Sequence, residues 1–217
     1  MKKAVIAGAT GLIGSSLLQL LLINNSFDEV LALSRSPLSF THPKLKQLII
    51  NFNELEQHKD EIRGDVVYYC LGTTKSATPS TEMYRKIEHE YLMKLSLIAK
   101  DNNISQFHYI SALGASATSP FFYSKLKWET EEDLKKIGVK SLHIYQPSLL
   151  TGKRKEPRVV ENLFIKLMSV VNPLLIDNFK KYRSIEATTV AKAMLNQTLK
   201  EIEGIHIYPS DKIKELA

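Results

Sequence analysis

The stretch Met1–Asn24, MKKAVIAGATGLIGSSLLQLLLIN, decides the fold. A short apolar run, Ala4 to Ala7, leads directly into Gly8-Ala9-Thr10-Gly11-Leu12-Ile13-Gly14. A helix-like segment follows and closes near Asn24-Asn25. The pattern reads as strand, glycine turn and helix. Gly8 lets the chain turn off the strand, Gly11 leaves the backbone open to a pyrophosphate, and Gly14 lets the helix pack closely on the strand. The helix N-terminus offers unpaired N–H groups and the positive end of a dipole to phosphate. A glycine triplet alone is a weak signal, and its strand–turn–helix setting strengthens it.

Met-Lys-Lys before an apolar segment imitates a secretory signal. Gly8, Thr10, Gly11 and Gly14 interrupt the run, as do Ser15-Ser16 and Gln19, so it lacks a continuous signal core. Leu17–Ile23 is too short to span a bilayer. The expectation is a soluble, cytoplasmic chain that forms no membrane contact.

The 217 residues suit one domain with a full core. A hydrophobic content of 44% and a charged content of 24% exclude a disordered chain. The single cysteine, Cys70, excludes an intramolecular disulfide and a cysteine metal site, and its apolar setting suggests an inert buried thiol. His108, His143 and His206 fall in strand-like runs without ligand spacing, so no metal is expected. The net charge of +6 suits nucleic acid, an anionic ligand or neither. No nucleic-acid motif accompanies it, and none is expected to bind.

Working outward, Glu29–Ser34 reads as the second strand. Where dinucleotide-binding folds favouring NAD place an acid, this chain has Ser34-Arg35-Ser36. A guanidinium between hydroxyls suits a 2′-phosphate, favouring NADP over NAD. The other reading is a surface arginine before a proline turn. Leu45–Phe52 reads as a third strand and Glu54–Ile62 as a short polar helix. Asp65–Leu71 reads as a strand buried on both faces, running into Gly72-Thr73-Thr74, with a loop over Lys75–Ser80.

A helix is expected over Thr81–Asn103, with Met83, Ile87, Tyr91, Leu95 and Ile98 as one apolar stripe. Ser105–Ser111 is the next strand. Ser119-Pro120 reads as a helix cap and first helical residue, with Gly138 as the stop. Val139–Tyr145 follows as a strand. This alternation predicts a single α/β domain over residues 1–217, a Rossmann-type doubly wound parallel sheet. Beyond Leu150 the alternation weakens. Residues 151–217 read as a small C-terminal substrate-side subdomain, with helices over Val159–Val171 and Thr188–Leu199 and a strand over Gly204–Tyr208.

Within Tyr123-Ser124-Lys125-Leu126-Lys127, the tyrosine and Lys127 are one helical turn apart. An ammonium near a phenol lowers its pKa and fits it for proton transfer at a carbonyl or alcohol oxygen. The same lysine is placed to bond a nicotinamide ribose.

These residues together resemble an atypical short-chain dehydrogenase/reductase. More narrowly, the chain resembles the NAD(P)-binding branch related to the Tat-interacting oxidoreductase-like protein. The resemblance rests on Gly8, Gly11 and Gly14, on Arg35, on Leu71-Gly72-Thr73, on Ser111, on Tyr123 with Lys127, and on Gln146–Gly152. It implies that Tyr123 is the general acid/base, that Lys127 holds the ribose and tunes Tyr123, and that Ser111 bonds the substrate carbonyl. It implies a cofactor site of Gly8, Thr10, Gly11, Leu12, Ile13, Gly14, Ser34, Arg35, Leu71, Gly72, Thr73, Tyr123, Lys127 and Pro147. The activity it implies is reduction of a small carbonyl compound with NADPH. The rival expectation is an NADPH-binding interaction module without turnover. Pairing of two copies through the helices around residues 81–103 and 119–137 is the family expectation.

Three positions depart from the family pattern. Ala112 follows Ser111 where a second hydroxyl is usual, which leaves Ser116 open as the serine. Asn51 stands where many relatives carry aspartate, and Gln146 where arginine is common. Two basic clusters remain, Lys153-Arg154-Lys155 with Arg158 and Lys180-Lys181 with Arg183. A substrate carboxylate or phosphate is one partner for the first, and a solvated loop is the equal alternative.

Overall fold

The computed structural model describes residues 1–73, 78, 80–152 and 177–217. Its strands are β1 (Lys2–Ala7), β2 (Phe27–Ser34), β3 (Leu45–Ile49), β4 (Val66–Tyr69), β5 (Gln106–Ile110), β6 (Ser141–Gln146), β7 (Leu150–Thr151), β8 (Ile185–Glu186) and β9 (Gly204–Pro209). The helices are α1 (Leu12–Ile23), α2 (Thr81–Arg85), α3 (Tyr91–Asp101), α4 (Phe122–Ile137), α5 (Ala187–Lys200) and α6 (Ser210–Glu215). Seven strands form one parallel sheet in the order β3-β2-β1-β4-β5-β6-β9. β1 pairs with both β2 and β4, so the winding reverses there and a crevice opens at the carboxyl ends of β1 and β4.

Both faces of the sheet are covered, which is why its strands read as apolar runs. Along β1, Ala4 and Ile6 enter the core layer shared with α1 and α5, while Val5 and Ala7 enter the layer shared with α3. The segment beyond residue 151 divides. β7 and β8 form a small separate sheet, whereas β9 extends the main sheet and α5 packs beside α1. The expected helix over Val159–Val171 and the loop Lys75–Ser80 lie largely outside the described residues, as does the basic cluster at Lys153–Arg158.

Three local expectations change. The polar segment after β3 is a 3₁₀ turn over Phe52–His58, begun by the Asn51 side chain accepting from the Asn53 N–H at 3.1 Å. The helix following Ser119-Pro120 starts later, at Phe122. Ser119 Oγ instead accepts from the Phe121 N–H at 3.2 Å, a tight turn that leaves Pro120 outside the helix. Its end is as expected, with Gly138 left-handed at φ 78°.

The segment Thr81–Asp101 is also not one regular helix. A π-turn over Lys86–Glu90 joins α2 to α3. Tyr84 and Glu88, in helical step with Tyr91, Leu95 and Ile98, are buried, Ile87 is half-buried against the same core, and Met83 of the expected stripe is 42% exposed. Beyond the turn Tyr91, Leu95 and Ile98 stay in phase and are buried.

Under α5 an aromatic row crosses four strands. Tyr68, His108, His143 and His206 are register neighbours on β4, β5, β6 and β9. The rings of His108 and His143 stack at 4.3 Å, and those of His143 and His206 at 5.2 Å. Tyr145 OH and Gln106 Oε1 bond the two nitrogens of His108, while Tyr208 OH and Ser141 Oγ bond those of His143. Burial, then the neighbouring imidazole, holds His108 well below the usual histidine value and lowers His143 to about 4.

Two outcomes follow from this packing. A Cβ at Gly14 would stand 2.1 Å from the Gly8 carbonyl oxygen. Gly14→Ala should therefore lower the unfolding free energy by about 2–3 kcal/mol in urea denaturation, despite the better helix propensity of alanine. His108 and His143 bind fewer protons folded than unfolded below pH ~6.5, so stability should fall as the pH drops from there towards 4. For His143 alone the loss at pH 5 is on the order of 2 kcal/mol, and His143→Gln should flatten that part of the profile.

Candidate active site

The expected site residues gather at the carboxyl edge of the sheet because every strand there is parallel. Gly8 follows β1, Arg35 follows β2, Leu71-Gly72-Thr73 follow β4, Ser111 follows β5 and Pro147 follows β6. Gly8 has φ 89°, and a Cβ on it would lie 2.6 Å from the Cys70 carbonyl group. Gly11 is the N-cap of α1 and has no side-chain cap. The first-turn N–H groups therefore face the crevice beside Thr10, in a cradle with no side chain at positions 8, 11 and 14. The donor chemistry and this clearance fit a dinucleotide pyrophosphate.

The remaining cofactor candidates fall into different roles. The Ile13 side chain is buried in the core, so only its backbone faces the turn. Leu12 packs against that core, with its Cδ1 2.9 Å from a Cβ built on Gly152. Ser34 Oγ donates to the Ser36 carbonyl at 2.9 Å, shaping the turn that leaves Arg35 exposed. Pro147 is buried, and its carbonyl accepts from the Leu113 N–H at 2.9 Å, linking the loops after β5 and β6.

Helix α4 delivers three side chains one turn apart on one face: Tyr123, Lys127 and Glu131. Tyr123 lies in the first turn and is 42% exposed, whereas Lys127 and Glu131 are buried. Tyr84 sets its ring edge-on to Tyr123 at 6.5 Å. Lys127 Nζ lies 2.8 Å from Glu88 Oε2 and donates to Tyr109 OH at 3.2 Å and to the Ile110 carbonyl at 2.9 Å. The first is an ion pair by proximity of charge, and the other two are hydrogen bonds that take two of the three N–H bonds of the ammonium. The ammonium is 5.9 Å from the centre of the Tyr123 ring, so it acts on that phenol through its charge.

The expected lowering of the Tyr123 pKa is corrected by this arrangement. Partial desolvation of its packed but still solvent-exposed ring raises it, Lys127 pulls it down and Glu88 pushes it up, with a net shift above the usual phenol value. Lys127 is drawn down by burial, but Glu88 and the phenols of Tyr109 and Tyr123 hold it well above the usual lysine value.

Ser111 is buried and donates to Glu131, whose carboxylate also accepts from Gln146 Nε2 at 2.9 and 3.0 Å. The hydroxyl thus joins β5, β6 and α4 from below the crevice. Ser116 is half-buried and bonds Thr118 Oγ1 at 3.1 Å. Asn51 begins the turn after β3, and Lys181 lies 5.4 Å over the Tyr182 ring.

Glu88 and Glu131 escaped the reading of the sequence. Glu88 is in helical step with Tyr84, Tyr91, Leu95 and Ile98, but a stripe through Met83 and Ile87 fits the same spacing and is wholly apolar, which masked the charged residue. Glu131 carried a usable signal, its position four residues after Lys127. Among the described residues, His89, Glu129 and Asp133 lie close enough to suggest a cation site. Arg85 grips Glu129 with both guanidinium nitrogens, and His89 bonds Asp133 at 3.0 Å, so the cluster is already paired within the protein.

Comparison with known proteins matches this geometry to a family. The NAD(P)H-binding family model matches residues 8–161. Protein HTATIP2 of Rattus norvegicus is 28% identical over 207 residues, covering 94% of this chain and 84% of that protein. The fmp52 protein of Aspergillus clavatus is 26% identical over 220 residues, covering 98% and 94%. Among solved structures, MoeE5 with UDP-glucose and NAD superposes with a TM-score of 0.71 at 15% identity, covering 95% of this chain and 75% of that one. Bordetella bronchiseptica WbmH with NAD+ gives 0.70 at 18% identity, covering 99% and 78%. These structural likenesses concern the fold.

The expectation of a cytoplasmic chain is corrected by the relatives, because fmp52 of Aspergillus clavatus and FMP52 of Candida albicans are named mitochondrial. An interrupted apolar run argues against a secretory core without distinguishing one internal compartment from another. No helix among the described residues is long and apolar enough to cross a membrane. By its glycine turn, its sheet and its match over residues 8–161, the chain belongs to the NAD(P)H-binding family, in the atypical short-chain dehydrogenase/reductase branch that includes HTATIP2 and fmp52.

Proposed function

We propose that the chain is an NADPH-dependent reductase of a small carbonyl compound. One observation carries this reading. The exposed Tyr123 and buried Lys127 share a face of α4, and Glu88 ties Lys127 to the loop Leu71–Thr73 at the crevice. The α1 turn from Gly8 to Gly14 would hold the pyrophosphate, Arg35 with Ser34 the 2′-phosphate, and Leu71–Thr73 with Pro147 the remainder. When bound, the dihydronicotinamide supplies a hydride to the carbonyl carbon.

The chain supplies the proton. A phenol held above its usual pKa is protonated at neutral pH, the form needed to donate to a carbonyl oxygen. As that proton leaves Tyr123 Oη, the nearby Lys127 charge favours the phenolate left behind. Ser111 acts within this reading as a support, through Glu131, for the strand ends that flank the site.

A specific observation also favours the second reading, an NADPH-binding interaction module. Lys127 is neutralised by Glu88, and the hydroxyl after β5 is engaged by Glu131. Tyr123→Phe separates the two. Turnover should fall at least about 100-fold while NADPH affinity stays within about twofold. Unchanged reduction would remove Tyr123 from the chemistry, and binding without reduction across a carbonyl panel would favour the module.

Cofactor choice has its own test. Trp128 adjoins Lys127 on α4, so nucleotide binding can be followed by its fluorescence, with calorimetry as a check. NADPH should bind more tightly than NADH. Arg35→Ala should weaken NADPH about tenfold or more and leave NADH unchanged. Equal affinities in the unaltered chain would remove Arg35 from phosphate recognition.

A further inference from the structure

Lys127 is 4% exposed and Glu88 is 2% exposed. An ammonium removed from water to that degree stays charged only with a compensating partner. Tyr109 OH and the Ile110 carbonyl touch it, and the phenols of Tyr69, Tyr84 and Tyr123 lie within its electrostatic reach. Those groups are neutral at pH 7. Among the described residues, the carboxylate in contact is that of Glu88, at 2.8 Å. Its other oxygen, Oε1, accepts from the Thr73 N–H, also at 2.8 Å. A single carboxylate, carried on the π-turn that joins α2 to α3, therefore spans α4 and the loop after β4.

We propose that Glu88 is a positioning residue of the Tyr123–Lys127 site, keeping Lys127 charged and fixing it relative to the Thr73 loop. The functional sense of this role rests on the reductase reading. The ion pair itself is testable without it. Glu88 sets how much of the Lys127 charge reaches Tyr123 and couples that charge to the position of the loop proposed to flank the cofactor.

The test compares Glu88→Gln with the unaltered full chain. The amide keeps the size and an acceptor for the Thr73 N–H but removes the charge. Lys127, buried without its counter-ion, should then lose its proton near neutral pH. The folded variant would bind fewer protons than its unfolded chain below pH ~10.4, so its stability should rise with pH. Relative to the unaltered chain, the folding equilibrium constant should climb up to tenfold per pH unit within pH ~7–10. The double variant Glu88→Gln/Lys127→Met should lose this slope, and Glu88→Asp should restore the unaltered profile.

If Glu88→Gln does not fold, Lys127→Met gives the reciprocal result. The stranded Glu88 should take up a proton in the fold, so that stability falls as pH rises above ~4.5. Profiles parallel to that of the unaltered chain in both single variants would overturn the proposal. In carbonyl reduction, Glu88→Gln should add a fall in kcat above neutral pH that Tyr123-dependent turnover otherwise lacks. Failure of the unaltered chain to bind NADPH would remove the reductase reading and leave the stability slopes standing. NADPH binding with no slope would remove the role of Glu88 alone.

Discussion

The contact between the start of α1 and the turn after β1 governs this molecule. A Cβ at Gly14 would fall 2.1 Å from the Gly8 carbonyl oxygen, and one at Gly8 would meet the Cys70 carbonyl. Only bare backbone allows the helix to press this closely on the junction of β1 and β4. That closeness aims the first turn of α1 into the crevice where the winding reverses. The residues proposed to recognise phosphate and those that close the core are therefore the same ones, so the fold and the proposed cofactor cradle are inseparable.

The other half of the site is organised by α4, whose single face descends from water into the core. Tyr123 meets solvent, Lys127 meets Glu88 and Glu131 meets Ser111 with Gln146. Each buried charge on this face has a defined set of partners, as burial requires. The two carboxylates bind different parts of the scaffold. Glu88 connects α4 with the loop after β4, and Glu131 connects it with the ends of β5 and β6. The geometry of Tyr123 is thereby fixed by residues that are remote from it in the chain.

On the opposite face, the histidine row shows a different use of polar groups. Its imidazoles lie across the sheet in register, and those of His108 and His143 exchange hydrogen bonds with tyrosines, Gln106 and Ser141. His108 and His143 are core residues, and His206 lies half-buried at the edge strand. The same buried neutrality links the integrity of the sheet to pH.

The sequence by itself determined the order of elements, the parallel sheet, the glycine turn and the one-turn spacing of Tyr123 and Lys127. These follow from local rules: apolar runs for doubly covered strands, glycine where a Cβ would collide, and helical periodicity for residues sharing a face. The tertiary structure decided which charges meet. Packing of the π-turn against α4 and the loop after β4 buried Glu88, and strand order brought Ser111 and Gln146 to Glu131. It also decided the direction of the Tyr123 pKa shift, because desolvation and the balance of Lys127 against Glu88 depend on distances between elements far apart in the chain.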